Sequence, residues 1–285
     1  MKRKNALYAM AFVAPSLAGF LIFYFLPFVA GIYYSLMDSP VKGRFVGLSN
    51  YIGLLRNNSF LLAGSNTLLF TAISVPLIMA LALALALMLN REIYFRNQLR
   101  TLFISPLVIP VASVVLVWQI VFSSHGVING FLYSIGLEAV DWMNTGRARA
   151  VVIIVYIWKN LGYNIILFLA GLQNIPREYY ESAQVDGASA FRRFASITLV
   201  YLGPTSFFIF VISIINSFKV FRETYLVAGS YPHQSIYMLQ HYMNNMFSSL
   251  DYQKLTAAAF IMAFIITILV VLMFRVQKGI SNALE

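Results

Sequence analysis

The sequence predicts an all-α membrane protein, and three observations carry that prediction. Of its 285 residues 60% are hydrophobic and only 11% charged, whereas soluble domains carry about a quarter charged residues. The apolar residues gather into runs near the ~20 residues a helix needs to cross a ~30 Å hydrocarbon core. The charges fall in short clusters between those runs, as they do in loops beside anionic lipid head groups. A net charge of +10 could indicate nucleic acid, but basic residues scattered between apolar spans argue for lipid instead. The chain has no cysteine, which excludes disulfides, thiolate metal sites and a cysteine nucleophile.

The first span covers about residues 9–35. Lys2, Arg3 and Lys4 precede it and predict a cytoplasmic N-terminus. Its length, with Pro15 and Pro27 inside it, speaks against a cleaved signal peptide. From Asp38 to Ser65, Pro40, Gly43, Gly47 and Gly53 punctuate an outer segment of loops and short helices. The second span, about 66–89, alternates alanine and leucine from Ala80 to Leu87. Period two suggests a strand, but both partners are apolar and the run exceeds strand length, so a helix is expected. Ala80 and Ala84 form a small-x-x-x-small pair suited to close helix contact, although a leucine-alanine helix produces such pairs by chance.

Arg91, Arg96 and Arg100, against Glu92 alone, mark a cytoplasmic loop. The third span, about 101–122, carries Pro106 and Pro110 and is expected to bend, since each proline removes a ladder hydrogen bond. An outer loop at 123–148 leads to the fourth span, about 149–172. There Tyr156, Lys159, Asn160, Tyr163 and Asn164 recur at i, i+3, i+4, i+7 and i+8, on one helical stripe. A lysine facing lipid at mid-span costs at least ~2.5–3.5 kcal/mol, so the stripe must face protein or water. The fifth span, about 199–220, has a second polar row in Ser213, Asn216 and Ser217, with Lys219 near its outer end. The sixth, about 256–275, ends at Arg275 and Lys278, placing the C-terminus in the cytoplasm.

Between spans four and five, at 173–198, lies the least lipid-compatible stretch of the chain. Pro176 and Glu178 suit a first helical turn, and Gly187 is placed to stop that helix. Ser189 can cap a second short helix through Phe191 and Phe194. Glu181 and Asp186, two of only ten acidic residues, must lie in water or against a partner.

Glu181-Ser182-Ala183, Asp186-Gly187-Ala188, Phe194, Ile197 and Leu199 resemble the loop signature of bacterial ABC importer permeases. Residues 45–51 (Phe-Val-Gly-Leu-Ser-Asn-Tyr), Asn66-Thr67-Leu68, Trp158-Lys159 with Gly162, and Leu169 through Pro176 resemble the first, maltose/glycerol-phosphate-type permease subunit of the carbohydrate-uptake type I branch. The likeness spans nearly the whole chain. It departs at Ser182, where alanine is usual, at Val200, where proline is usual, and at Gly229-Ser230-Tyr231-Pro232, in place of a glycine-glycine-proline stretch.

The resemblance implies a type I importer permease fold of six transmembrane helices in one domain, 1–285. A peripheral first helix, about 9–35, would stand beside a five-helix unit at about 66–275, with a coupling loop at 173–198. It implies a second homologous permease subunit, an ATPase dimer and an extracytoplasmic solute-binding protein that delivers a sugar. The setting it implies is the bacterial cytoplasmic membrane, with both termini inside. Glu181, Ala183, Asp186 and Gly187 are the residues it assigns to the ATPase contact. The chain itself has no G-x-x-x-x-G-K-[ST] phosphate loop. ATP and Mg are therefore expected in the partner ATPase, with no cofactor here.

Sugars are bound by aromatic faces and hydrogen-bonding side chains. Tyr156, Asn160, Tyr163, Asn164, Asn216 and Ser217 are accordingly expected to line a substrate path; alternatively they hydrogen-bond neighbouring helices and hold the bundle together. Lys159 could serve a phosphate, which keeps a glycerol phosphate permease as the alternative, or a subunit contact. His125, His233 and His241 are expected in outer loops and have no metal-ligand spacing. No catalytic constellation stands out, and no carboxylate is expected inside the membrane, which weakens an ion-coupled secondary carrier.

Overall fold

A computed structural model describes residues 2–91 and 94–282. Glu92 lies outside the described residues, as do the side chains of Lys2, Arg3, Lys4 and Lys278. Among the described residues the fold is helical, with a single isolated bridge, Met37 to Phe45, and no strand. The chain divides into two compact units.

The first unit comprises residues 1–61 and 243–263. Helix α1 (Lys2–Phe20) passes through a π-turn at Leu21–Phe25 into α2 (Leu26–Ser35). Pro27 lies at the start of α2, where it has no amide to offer the preceding turn; the wider π-turn absorbs that irregularity. Phe12–Ser35 is long and apolar enough to span a membrane, and none of its most apolar window is buried within the chain. Residues 45–51, part of the resemblance, clamp the end of α2. Asn50 Nδ2 donates to the Ser35 and Met37 carbonyls (2.9 and 2.8 Å), and the Tyr51 hydroxyl to Ser35 Oγ (2.8 Å). These bonds satisfy carbonyls that a helix end leaves open. Gly47 turns the chain there at φ +56°, and α3 (Ser49–Leu55) follows.

The second unit comprises residues 62–242 and 264–285. It contains most of α4 (Asn58–Leu89), which begins earlier than the sequence suggested. The alanine–leucine alternation is helical, but its contact face differs from the expected one. Ala80 and Ala84 are exposed, whereas Ala82 and Ala86 are wholly buried against Ile165, Phe168 and Leu202. Both pairs have helical spacing, so periodicity could not choose between them.

The third span is not one bent helix. Helices α5 (Arg96–Val108) and α6 (Val111–Val121) meet at 100° across Ile109-Pro110. Pro106 frees the Leu102 carbonyl, four residues back, and Ser105 Oγ donates to it (2.8 Å). Pro110 has extended backbone angles and no amide hydrogen, so α5 cannot continue through it. A short α7 (Val127–Ser134) precedes α8 (Ala148–Gln173), close to the predicted fourth span.

Gly162 decides how α5 meets α8: a Cβ there would fall on the Phe103 backbone carbonyl, so only glycine lets the helices cross. At the ends of the same helices, the Gln173 carboxamide oxygen, turned toward α5, accepts from Arg96 and Arg100 (3.1 and 3.2 Å). Asn66 ties α4 to the segment beyond the fifth span, donating to the Gln234 and Tyr237 carbonyls and accepting from Arg149.

After α9 (Arg177–Val185) and α10 (Ala190–Arg193), a π-turn at Phe194–Thr198 leads into α11 (Leu199–Tyr201), so Val200 continues the helix. Helices α12 (Gly203–Phe218) and α13 (Phe221–Ala228) make one apolar stretch, Gly203–Ala228, longer than the predicted fifth span. This corrects the expectation of no carboxylate inside the membrane, because Glu223 falls within that stretch. Helices α14 (Leu239–Ser248) and α15 (Tyr252–Asn282) complete the chain. Among the described residues five helices are long and apolar enough to cross a membrane, six if α5 and α6 count as one span.

Candidate functional site

Two groups of residues stand apart from ordinary packing: the acidic segment at 173–198 and the polar rows of α8 and α12. In the first, Pro176 caps α9 and Glu178 lies in its first turn, where the amide ends favour a negative charge. The helix ends in a paired turn, with Gly187 N–H donating to the Gln184 carbonyl (3.1 Å) and Ala188 N–H to that of Ala183 (2.9 Å). That closure requires a left-handed residue, and Gly187 supplies φ +76°. Ser189 Oγ then accepts the Arg192 amide (3.3 Å) and opens α10.

Glu181 and Asp186 are exposed, Ala183 is half-buried, and Val185 and Phe191 are 88% and 79% exposed. Behind them, Arg193 donates to Gln184 (2.9 Å), Tyr180 hydrogen-bonds Thr198 (2.9 Å) and Tyr179 stacks on Tyr201. A rigid helix pair thus presents two carboxylates and two large apolar side chains outward. Ser182 is exposed as well, so its hydroxyl costs nothing there.

The polar stripe divides into two sets. Tyr156, Asn164, Ser213 and Ser217 are buried and engage neighbouring helices. The Tyr156 hydroxyl donates to the Ser213 carbonyl (3.0 Å), and its ring meets Phe70 edge-on. Asn164 Nδ2 donates to Ser213 Oγ (3.4 Å), and Ser217 Oγ pairs with Thr71 Oγ1 (2.8 Å). These bonds join α4, α8 and α12, which is the bundle-holding alternative for Tyr156, Asn164 and Ser217. Asn160, Tyr163 and Asn216 remain half-buried. Among the described residues Asn160 Nδ2 donates only to the Tyr156 carbonyl of its own helix (2.8 Å), and its oxygen takes no partner there.

Lys159 has a partner the sequence did not reveal: its ammonium pairs with the Glu223 carboxylate of α13. Both side chains are largely buried, at 17% and 11% exposure. The pairing answers the cost of a charge in the membrane, because each ion compensates the other. Only Glu223's position 64 residues downstream, beyond the predicted end of span five, hid it. Beside the pair, Gln119 of α6 donates to the Leu226 and Val227 carbonyls at the end of α13 (3.2 and 3.4 Å).

Of the three histidines, His125 and His233 are in loops, but His241 is on α14 and wholly buried. It lies edge-on to Phe221 at 4.9 Å, and burial pushes its pKa down to about 4. Among the described residues no cluster of histidine or acidic side chains could hold a metal ion.

Comparison with known proteins accords with this geometry. Residues 72–285 match the family model described as the binding-protein-dependent transport system inner membrane component. The chain is 34% identical to the arabinooligosaccharides transport system permease protein AraP of Bacillus subtilis (strain 168), over 76% of this chain and 70% of that one. It is 33% identical to the trehalose/maltose transport system permease protein MalF of Thermococcus litoralis, over 81% and 80%. Identity to the sn-glycerol-3-phosphate transport system permease protein UgpA of Yersinia enterocolitica is 31%, over 92% and 91%. In three dimensions it is similar to a chain of a bacterial alginate ABC transporter, solved in complex with an alginate pentasaccharide-bound periplasmic protein. That likeness has a TM-score of 0.84 and 27% identity, and it covers 98% of this chain and 96% of the other.

Proposed function

The chain belongs to the binding-protein-dependent transport system inner membrane component family, and from that premise we propose that it carries a sugar, in particular a neutral oligosaccharide. It is a multi-pass permease subunit of an ABC importer. Its solute arrives from an extracytoplasmic binding protein, and a second permease subunit completes the path. Both termini lie in the cytoplasm, where the N-terminal basic cluster, Arg275 and Lys278 favour them.

One observation carries the choice of solute: the buried cation of the stripe is already neutralised. Lys159 is the basic side chain in the stripe that a phosphate could use, and Glu223 occupies it. What the half-buried positions Asn160, Tyr163 and Asn216 offer is uncharged amide, hydroxyl and aromatic surface, the chemistry that meets sugar hydroxyls and ring faces. Tyr156, Asn164 and Ser217 form the wall behind them. Relatives named for arabinooligosaccharides and for trehalose and maltose support the sugar reading, while the one named for sn-glycerol-3-phosphate keeps the second solute in view.

ATP is hydrolysed by a separate ATPase dimer that grips α9 through Glu181, Ala183, Asp186 and Gly187. Val185 and Phe191 supply apolar area to that contact. ATP and Mg belong to that partner, and this subunit is not itself an enzyme.

The test is uptake by the complete transporter in proteoliposomes with ATP inside. Neutral pentose or glucose oligosaccharides and sn-glycerol 3-phosphate would be offered in parallel, each with a binding protein that recognises it. Sugar uptake that falls on Asn160→Ala or Tyr163→Ala, with assembly intact, is the expected result. Uptake of glycerol phosphate alone would refute the sugar reading, and equal loss of uptake and assembly would refute the path.

A further inference from the structure

Three apolar stretches stop at one basic cleft. Those of α4 and α8 close at Leu89 and Gln173, and that of α12 opens at Gly203. Leu87, Asn90 and Arg91 at the end of α4, Leu172 of α8, Tyr180 of α9 and Arg193 of α10 line an open cleft of about 400 Å³. All of them belong to the second unit. Asn90 and Arg91 follow Leu87 at i+3 and i+4, so one face of the α4 end meets the cleft. Ala190, Arg193 and Phe194 repeat that spacing on α10.

A cleft at the level where spans stop lies in the head-group layer, with hydrocarbon on one side and water on the other. Its lining follows that division. Leu87 and Leu172 belong to the apolar spans, whereas Arg91 and Arg193 lie beyond the span ends. Tyr94 and Phe95, exposed and edge-on to each other just after Arg91, are the aromatic pair expected at such an interface.

The charge of the cleft is of one sign. Among the described residues no carboxylate lines it, and neither arginine takes part in an ion pair. Arg193 donates to the Gln184 carboxamide, an uncharged partner that leaves its guanidinium uncompensated. The Asn90 carboxamide, and the Tyr180 and Thr198 hydroxyls bonded to each other (2.9 Å), add neutral groups for oxygen atoms to meet. Two forked cations above two leucines match a phosphate carried on acyl chains.

We propose that this cleft binds the head group of an anionic phospholipid, its phosphate shared by Arg91 and Arg193 and its chains leaving past Leu87 and Leu172. The proposal rests on the reading of residues 173–198 as the cytoplasmic segment, which places the lipid in the leaflet facing the ATPase.

The test is lipid retention by the complete transporter in nanodiscs of equal phosphatidylglycerol and phosphatidylcholine. Native mass spectrometry after release from the bilayer reads the most tightly held lipid. A basic residue near the surface is worth about 5-fold for an anionic lipid. Arg91→Gln should therefore lower the retained phosphatidylglycerol-to-phosphatidylcholine ratio about 5-fold, and Arg91→Gln with Arg193→Gln about 30-fold. Arg193→Lys keeps the charge and should hold the ratio near that of the parent, which guards against a folding defect at the Gln184 contact. Arg177→Gln with Arg275→Gln removes two exposed charges outside the cleft and should leave the ratio unchanged.

No fall in the cleft variants, or an equal fall in the Arg177 and Arg275 pair, would overturn the proposal. So would displacement of the lipid by millimolar inorganic phosphate, which makes the cleft a site for soluble phosphate. Loss of the ATPase from the Arg91→Gln complex, with the lipid ratio unchanged, would make it a protein contact instead. Both nanodisc leaflets carry both lipids, so retention does not depend on orientation. Arg91→Cys, in a chain with no other cysteine, reports orientation separately. Its labelling by an impermeant maleimide from outside right-side-out vesicles would sink the cytoplasmic reading and leave the lipid site standing.

Discussion

Removing one charge from the Lys159–Glu223 pair should damage this protein far more than removing both. At 17% and 11% exposure the two side chains have given up most of their water. Lys159→Met alone leaves a buried carboxylate with no counter-ion, and Glu223→Gln alone leaves a buried ammonium. Breaking a buried pair in this way costs ~3–5 kcal/mol, whereas replacing both ions by uncharged groups of similar volume is often neutral. At ~2–4 °C per kcal/mol for a chain somewhat smaller than this one, each single variant should lose roughly 6–20 °C of thermal midpoint.

The assay is a double-mutant cycle on the purified complex, scoring the fraction that stays monodisperse in mild detergent after heating. The double variant should lie within a few degrees of the parent, and it should retain uptake of a neutral sugar. Additive losses, with no coupling between the two sites, would refute the reasoning. They would mean that Lys159 and Glu223 are independently solvated and that Lys159 is available to an anionic solute after all.

Four further outcomes follow from other parts of the structure. Gly162→Ala drives a methyl into the Phe103 carbonyl of α5 and should cost at least ~1–3 kcal/mol. Gly130→Ala, in open space on α7, should leave the thermal midpoint unchanged or raised. Gly187→Val places a β-branched residue at φ +76°, a strain of ~1–3 kcal/mol that should disturb the α9 turn. The ATPase should then be lost from an affinity pull-down while membrane insertion is unaffected. His241 is held neutral by burial, with its pKa pushed down to about 4. Its contribution to stability is complete above an unfolded value of ~6.5 and is lost as pH falls toward 4, by roughly 3 kcal/mol in all. His241→Gln should flatten that acid limb in a pH series of thermal midpoints; an unchanged limb would mean that the imidazole titrates normally.

Where the reading of the residues succeeded, the signal was local. The fourth span, the α9 stop at Gly187 and the Ser189 cap depend on contacts within a few residues of themselves. Where it failed, two alternatives shared one local pattern. Ala80/Ala84 and Ala82/Ala86 have the same spacing, and only the position of α8 and α12 buries the second pair. Two prolines four apart announce a disturbed helix, but the 100° break at Ile109-Pro110 depends on what the two halves pack against. His241 sits in a loop-like, polar stretch of sequence and is nevertheless buried against Phe221.

By itself, then, the sequence determined that the chain is an all-helical membrane protein with an acidic segment outside the membrane between its fourth and fifth spans. Low charge content and ~20-residue apolar runs leave helices as the workable way to satisfy the backbone in lipid. It also determined a polar stripe on the fourth span, because helical periodicity alone places those residues together. Only the tertiary structure decided what each member of the stripe faces. Tyr156, Asn164 and Ser217 turn inward to Ser213 and Thr71, Lys159 finds Glu223, and Asn160, Tyr163 and Asn216 stay half-open. Burial and charge pairing depend on groups brought together from helices tens of residues apart, and no window on one helix contains them.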